Sequence, residues 1–149
     1  MKEQHRNPTP TVDIIIEDDS RILLIKRKNE PFKDHLVLPG GFVNEGEKVE
    51  DAAKREAQEE TSLVVDLIGI LGVYSDPTRD PRGHNMSTVF IGRNSGNKAI
   101  AKDDAAEIEW INIEAVRDKN FGFDHKHILV DYNRWKKSGG TFWSSKFKP

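Results

Sequence analysis

Three glutamates stand close together in the first half of the chain. Glu56, Glu59 and Glu60 occupy positions i, i+3 and i+4, so on a helix their carboxylates lie on one face within one turn. Like charges at these spacings repel by roughly 0.2 to 0.5 kcal/mol per pair. Because carboxylate oxygens are the ligands that Mg²⁺ and Mn²⁺ prefer, the cluster is a candidate metal site, although a solvated charged helix face would show the same pattern.

A glycine-containing stretch precedes the glutamates and predicts how they are positioned. Gly40, Gly41 and Gly46 favour a turn or loop whose backbone can approach a ligand closely. From about Glu47 to Thr61 there is no Pro or Gly and good helix formers dominate, which predicts a helix. The loop therefore leads into the helix that carries the glutamates.

The loop and helix together resemble the signature of the Nudix hydrolases, Gly-x5-Glu-x7-Arg-Glu-U-x-Glu-Glu-x-Gly-U, in which U is a bulky aliphatic residue. The matching positions are Gly41, Glu47, Arg55, Glu56, Glu59 and Glu60. Two positions depart from the pattern, since Ala57 stands at the first U and Ser62 stands in place of the glycine. Ser takes a left-handed backbone less readily than Gly, so the departure at Ser62 concerns the end of the helix.

The resemblance implies an α/β fold, a Nudix-type α/β/α sandwich around a mixed β-sheet, in one domain spanning residues 1–149. It also implies bound Mg²⁺, with Mn²⁺ as a substitute. The implied metal ligands are Gly40, Glu56, Glu59, Glu60 and Glu107, and the implied catalytic residues are Glu47, Arg55, Glu56 and Glu59. Glu109 competes with Glu107 because both project from one face of a predicted strand. The general base could be a signature glutamate or a carboxylate between Asp103 and Glu109.

Apolar runs predict the strands of the sheet. Val12–Ile16 and Arg21–Lys26 flank turn residues and predict a hairpin, and 63–73 reads as one or two strands broken at Asp66 or Gly69. Further strands are predicted at 36–38, at 87–93 and up to Ile111. The last helix is predicted to begin after Asp124 as N-cap and to stop at Gly139-Gly140, with His125 and His127 on its surface. Residues 1–10 are expected to be flexible.

A proline-containing loop follows the third apolar run. Its sequence Ser-Asp-Pro-x-Arg-Asp-Pro-Arg-Gly-His, ending at His84, resembles the ADP-ribose pyrophosphatase branch of the family and also Nudix regulators that sense ADP-ribose-like ligands. Arg79, Arg82 and His84 are therefore candidate substrate contacts, because guanidinium groups suit phosphates. Equally, these side chains could hold the loop together by local hydrogen bonds.

A second candidate substrate surface lies before the glycines. Arg27 and Phe32 belong to a basic and aromatic segment that could meet phosphates and a base, or could be a solvated loop. Gly41 completes the candidate substrate-binding set. The reaction implied is hydrolysis of the diphosphate bond of a nucleoside diphosphate linked to another moiety, with ADP-ribose giving AMP and ribose 5-phosphate. A nucleoside triphosphate pyrophosphohydrolase and a non-catalytic ADP-ribose sensor stay open as alternatives.

Composition limits the other classes of function. The 149 residues carry 23 basic and 25 acidic side chains, which gives no general field for nucleic acid or membrane. The chain has no Cys and no apolar run near the roughly 18 residues of a membrane span, so a cytoplasmic location is expected. We expect a small-molecule nucleotide substrate. The aromatic tail, residues 141–149, could pack on its own domain or on a second subunit, which leaves a homodimer open.

Overall fold

One mixed sheet organises the computed structural model, which describes residues 4–96, 98–101 and 105–147. Its strands are β1 (Thr9–Asp18), β2 (Arg21–Arg27), β3 (Leu36–Val37), β4 (Gly40–Phe42), β5 (Val65–Tyr74), β6 (Asn85–Asn94), β7 (Ala105–Asn112) and β8 (Phe142–Trp143). The helices are α1 (Val49–Thr61) and α2 (His125–Ser138), with a 3₁₀ helix at Ile113–Asp118. The predicted residues Asp103 and Asp104 lie outside the described part.

Strand β1 lies at the centre of the sheet. It pairs antiparallel with β2 in the predicted hairpin, antiparallel with β4, and parallel with β6 over nine residue pairs. The principal order is β3-β2-β1-β6-β5-β8, while β4 pairs with β1 and β7 pairs with β2. The mixed sheet that the sequence predicted is therefore confirmed.

The two helices cover opposite faces of this sheet. Small residues let α1 pack closely on one face, where Ala52, Ala53 and Ala57 are fully buried. On the other face α2 contributes Ile128 and Leu129 to a second apolar cluster. Ala57, which departs from the bulky aliphatic pattern, thus fits a helix that lies close to the sheet. The arrangement is the predicted α/β/α sandwich.

The glycine segment differs from the prediction of a loop. Gly40–Phe42 form β4, which pairs with residues 11–13 of β1. A Cβ at Gly40 would lie 2.3 Å from the carbonyl oxygen of Val12 and 2.5 Å from Asp13 Oδ1, so glycine is required here for strand contact. The helix also begins at Val49, two residues later than predicted.

The third apolar run, for which one or two strands were predicted, forms a single strand, β5. Its register against β6 shifts between Leu67 and Gly69 and again between Ile70 and Gly72. These irregularities explain the interrupted pattern of the sequence, because a bulge changes which side chains face the core.

The tail packs on the same domain, since β8 pairs parallel with β5 and Phe142 is buried. No helix in the described residues is long and apolar enough to cross a membrane.

Ser62 takes the left-handed conformation at the end of α1, with φ 65° and ψ 6°. Its hydroxyl oxygen is buried without a hydrogen-bond partner among the described residues. Because a side chain in this conformation costs about 1 to 2 kcal/mol, Ser62→Gly is expected to raise the free energy of unfolding by about 1 kcal/mol. Thermal unfolding should then show Tm higher by roughly 2 to 4 °C.

Ser62→Ala is the matched control for this prediction. It removes the unpaired hydroxyl but keeps a Cβ at positive φ, so it should stabilise the protein less than Ser62→Gly does. Equal stabilisation by both variants would assign the cost to the hydroxyl and contradict the backbone explanation.

Candidate active site

Arg55 organises the carboxylates of the signature. Its guanidinium donates to both oxygens of Glu47 at 2.8 and 3.0 Å, to Glu56 at 2.9 Å and to Glu59 at 3.1 Å. It also donates to the carbonyl of Phe42 at 2.9 Å, which ties α1 to β4. The hydrogen bond from Arg55 lowers the pKa of the Glu47 carboxyl to about 2. Burial raises the pKa of the Glu56 carboxyl, although the hydrogen bond from Arg55 opposes this shift.

The glycines of β4 bring the backbone against these glutamates. A Cβ at Gly41 would lie 2.4 Å from Glu56 Oε1, so only glycine leaves room for the carboxylate. The amide of Gly40 donates to Glu60 Oε2 at 3.2 Å. Gly40, Gly41, Glu56 and Glu60 line one cavity of about 250 Å³. Its other polar or aromatic walls are Thr11, Asp13, Arg27, Phe42, Arg79, Asp80, Arg82, Asn85, Phe123 and His125.

The donor atoms at this cavity suit a hard divalent cation. Glu56, Glu60 and the peptide groups of β4 supply oxygen donors, which are those that Mg²⁺ and Mn²⁺ prefer. Among the described residues, no three His, Asp or Glu side chains are placed to hold an ion together. In the structure Arg55 instead forms ion pairs with Glu56 and Glu59. The residues that line the cavity fit a metal in the chemistry of their oxygen donors.

Arg79 is buried at the base of the predicted substrate loop. Its guanidinium donates to Asp124 at 2.8 and 3.0 Å, bonds to Asn85 and lies 3.5 Å from Asp13 Oδ2. Burial opposes the charge of Arg79, but the hydrogen bond with Asp124 and the charge of Asp13 leave its pKa raised. Asp124 precedes α2 as predicted, yet its side chain makes no capping bond, because it binds Arg79 instead. The described contacts support the loop-holding interpretation of Arg79.

Phe123 is a site residue that the sequence did not reveal. The guanidinium groups of Arg27 and Arg82 lie 5.2 and 5.5 Å from its ring centroid. Arg82 also forms an ion pair with Asp80 at 2.8 Å, and its side chain is 54% exposed. Phe32 contacts the same ring edge to face at 4.8 Å. The predicted basic and aromatic residues therefore meet around one aromatic ring at the mouth of the cavity.

Among the predicted site residues, His84 and Glu107 neither line this cavity nor belong to the Arg55 cluster or contact the Phe123 ring. His84 is exposed, and its Nε2 lies 2.9 Å from the carbonyl oxygen of Ser75. Glu107 forms an ion pair with Lys26 at 3.4 Å and its side chain is 63% exposed, while Glu109 lies 3.7 Å from Lys119. Neither glutamate lines the cavity that Glu56 and Glu60 line, and their metal role stays a prediction.

The prediction that His125 lies on the surface is wrong. His125 is 4% exposed, and its Nδ1 accepts a hydrogen bond from the amide of Leu38 at 2.9 Å. The sequence signal was ambiguous because His125 is the first residue of α2, where either face could be buried. His127 is partly buried as well, with its Nε2 3.4 Å from Asp131.

Comparison with known proteins places this geometry in context. The family profile described as NUDIX domain matches residues 7–132. The chain is 52% identical over 130 residues to an ADP-ribose pyrophosphatase of Methanocaldococcus jannaschii, covering 87% of this chain and 76% of that protein. It is 37% identical over 100 residues to a putative 8-oxo-dGTP diphosphatase of Bacillus subtilis, covering 66% of this chain and 62% of that protein.

A solved structure shows the same fold. The bifunctional NMN adenylyltransferase/ADP ribose pyrophosphatase of Francisella tularensis, complexed with AMP and a Mn ion, aligns with TM-score 0.73 and 27% identity. The alignment covers 93% of this chain and 44% of that chain.

Proposed function

Because the chain belongs to the Nudix family, we propose that it is a metal-dependent hydrolase that cleaves the diphosphate bond of ADP-ribose to give AMP and ribose 5-phosphate. The observation that carries the proposal is the shared cavity, in which signature glutamates from α1 meet arginines from the loop after β5. The relative from M. jannaschii, at 52% identity, supports the same substrate class. We further propose that residues 1–149 form one domain and that the enzyme is cytoplasmic.

Arg55 and the metal-binding residues have separate roles in this proposal. Arg55 holds Glu47, Glu56 and Glu59 at fixed places beside the cavity. Glu56, Glu59, Glu60 and the carbonyl of Gly40 would hold Mg²⁺, or Mn²⁺ in its place. When bound, such an ion would neutralise charge on the diphosphate and lower the pKa of a water molecule bound to it.

The arginines at the mouth bind the phosphates. The guanidinium groups of Arg27 and Arg82 both contact the Phe123 ring. The planar geometry of a guanidinium group matches that of phosphate oxygens. The Asp80 carboxylate orients Arg82 by accepting three hydrogen bonds, from the amide, Nε and Nη2 of Arg82. A ligand with two phosphates and sugar hydroxyls would pair with these groups, whereas a ligand without them would leave polar groups unpaired.

A comparison of substrates tests the proposal. With one Mg²⁺ concentration, kcat/KM for ADP-ribose is expected to exceed that for ATP, GTP and dGTP by at least ~10-fold, equivalent to about 1.4 kcal/mol of transition-state binding. The products are measured by chromatography as AMP and released phosphates. 8-oxo-dGTP belongs in the same series, because the B. subtilis relative is a putative diphosphatase of that nucleotide.

The outcome separates the alternatives. A preference for any triphosphate would replace the ADP-ribose assignment with a triphosphate pyrophosphohydrolase. Binding of ADP-ribose without turnover at any metal concentration would favour the sensing module. Intact signature glutamates in the cavity favour an enzyme over that module.

A further inference from the structure

His125 lines the cavity, and one contact defines which of its ring nitrogens can donate a hydrogen bond. The Leu38 amide donates to Nδ1, so Nδ1 carries a lone pair and, in the neutral ring, the proton resides on Nε2. Burial lowers the pKa of His125, which keeps the ring neutral. Nε2–H is therefore a fixed donor at the wall of the cavity.

An acceptor lies beside this donor. Nε2 is 3.5 Å from Asp13 Oδ1, which is longer than the roughly 2.9 to 3.0 Å typical of an N–H···O hydrogen bond. The other oxygen, Oδ2, already accepts from Ser87 Oγ at 2.6 Å and lies 3.5 Å from Arg79. Asp13, like His125, lines the cavity, so a ligand bound there lies against both side chains.

We propose that His125 and Asp13 together bind one ribose hydroxyl of the substrate, with Nε2–H donating to the hydroxyl oxygen and Asp13 Oδ1 accepting the hydroxyl proton. A hydroxyl is the group that offers one donor and one acceptor at a single atom. A phosphate oxygen offers no donor and would be repelled by Asp13. The inference rests on the proposed function and deepens it by naming a specificity-determining pair.

The test compares substrates that differ by one hydroxyl. Wild type, His125→Asn and His125→Gln are assayed with ADP-ribose and with a set of analogues, each of which lacks one hydroxyl of one ribose. Asn can keep an acceptor for Leu38 but does not reach the Nε2 position, whereas the longer Gln can place an amide donor there.

Wild type is expected to lose at least ~10-fold in kcat/KM on one of these analogues, and the affected analogue identifies which hydroxyl is bound. His125→Asn should lose a similar factor on ADP-ribose and discriminate less than ~2-fold between ADP-ribose and that analogue. His125→Gln should regain part of the discrimination. A purely structural role of His125 would lower activity on ADP-ribose and on all of its analogues by the same factor.

Two results would overturn the inference: equal discrimination by wild type and His125→Asn, or no discrimination by wild type. Absence of ADP-ribose turnover by wild type would instead overturn the proposed function, and the inference with it. Thermal unfolding checks each variant. If His125→Asn does not fold, Asp13→Asn replaces it, because the amide can keep an acceptor toward Ser87 and present a second donor in place of Oδ1, and the same loss of discrimination is expected.

Discussion

Glu60→Gln is expected to lower kcat by at least ~100-fold, the size of effect seen when one preorganised electrostatic group is removed from a reaction site. The substitution is nearly isosteric, and the amide oxygen can still accept the hydrogen bond that Gly40 donates to Glu60. The change therefore removes the charge from the cavity wall while keeping the contact between α1 and β4. Steady-state kinetics with ADP-ribose and Mg²⁺ measure it.

Glu50→Gln is the matched control. Glu50 lies in the first turn of the same helix and is exposed, so the same chemical change there should leave kcat within about 2-fold. Native turnover by Glu60→Gln would show that this carboxylate has no role in the reaction.

Arg79→Ala is expected to lower the free energy of unfolding by about 3 kcal/mol or more, because it leaves a buried ion pair without its cation. The Arg79 side chain is only 4% exposed and pairs with Asp13 and Asp124. Chemical or thermal denaturation measures the loss, and Tm should fall by roughly 6 to 12 °C.

Arg82→Ala makes the same substitution three positions along the same loop. Its ion pair with Asp80 is half exposed, so the loss of stability should stay below about 1 kcal/mol. Its effect should instead appear as a higher KM with kcat preserved, as expected for lost uniform binding. Equal stability losses for both variants would contradict the distinction between a buried support and a substrate contact.

The sequence predicted those features that depend on local pattern. The spacing of Glu56, Glu59 and Glu60 was sufficient to indicate a helix with one acidic face, and the structure shows Arg55 paired with Glu59 four residues along this helix. The β1–β2 hairpin followed from two apolar runs around turn residues. In each case the interacting residues are near in the chain, so periodicity carries the information.

Features that depend on distant contacts were not predicted. Gly40–Phe42 become a strand only because β1 lies alongside them, and local sequence favours a turn there. The buried His125 accepts a hydrogen bond from the amide of Leu38, 87 positions away. Phe123 becomes a site residue only when Arg27 and Arg82 approach it. Such contacts leave no trace in the spacing of neighbouring residues.

The parallel pairing of β1 with β6 also has a consequence for the order of folding. Asp13 and Ser87, which bond across these strands, are 74 positions apart, and closing a long loop costs more entropy than forming a hairpin. Non-local pairings of this kind slow folding, so the β1–β2 and β5–β6 antiparallel pairs should form before β1 meets β6. The parts of the cavity wall that Asp13 and Arg79 contribute come together only when β1 pairs with β6. A partly folded chain could therefore contain the complete glutamate helix and still have no cavity in which to hold a substrate.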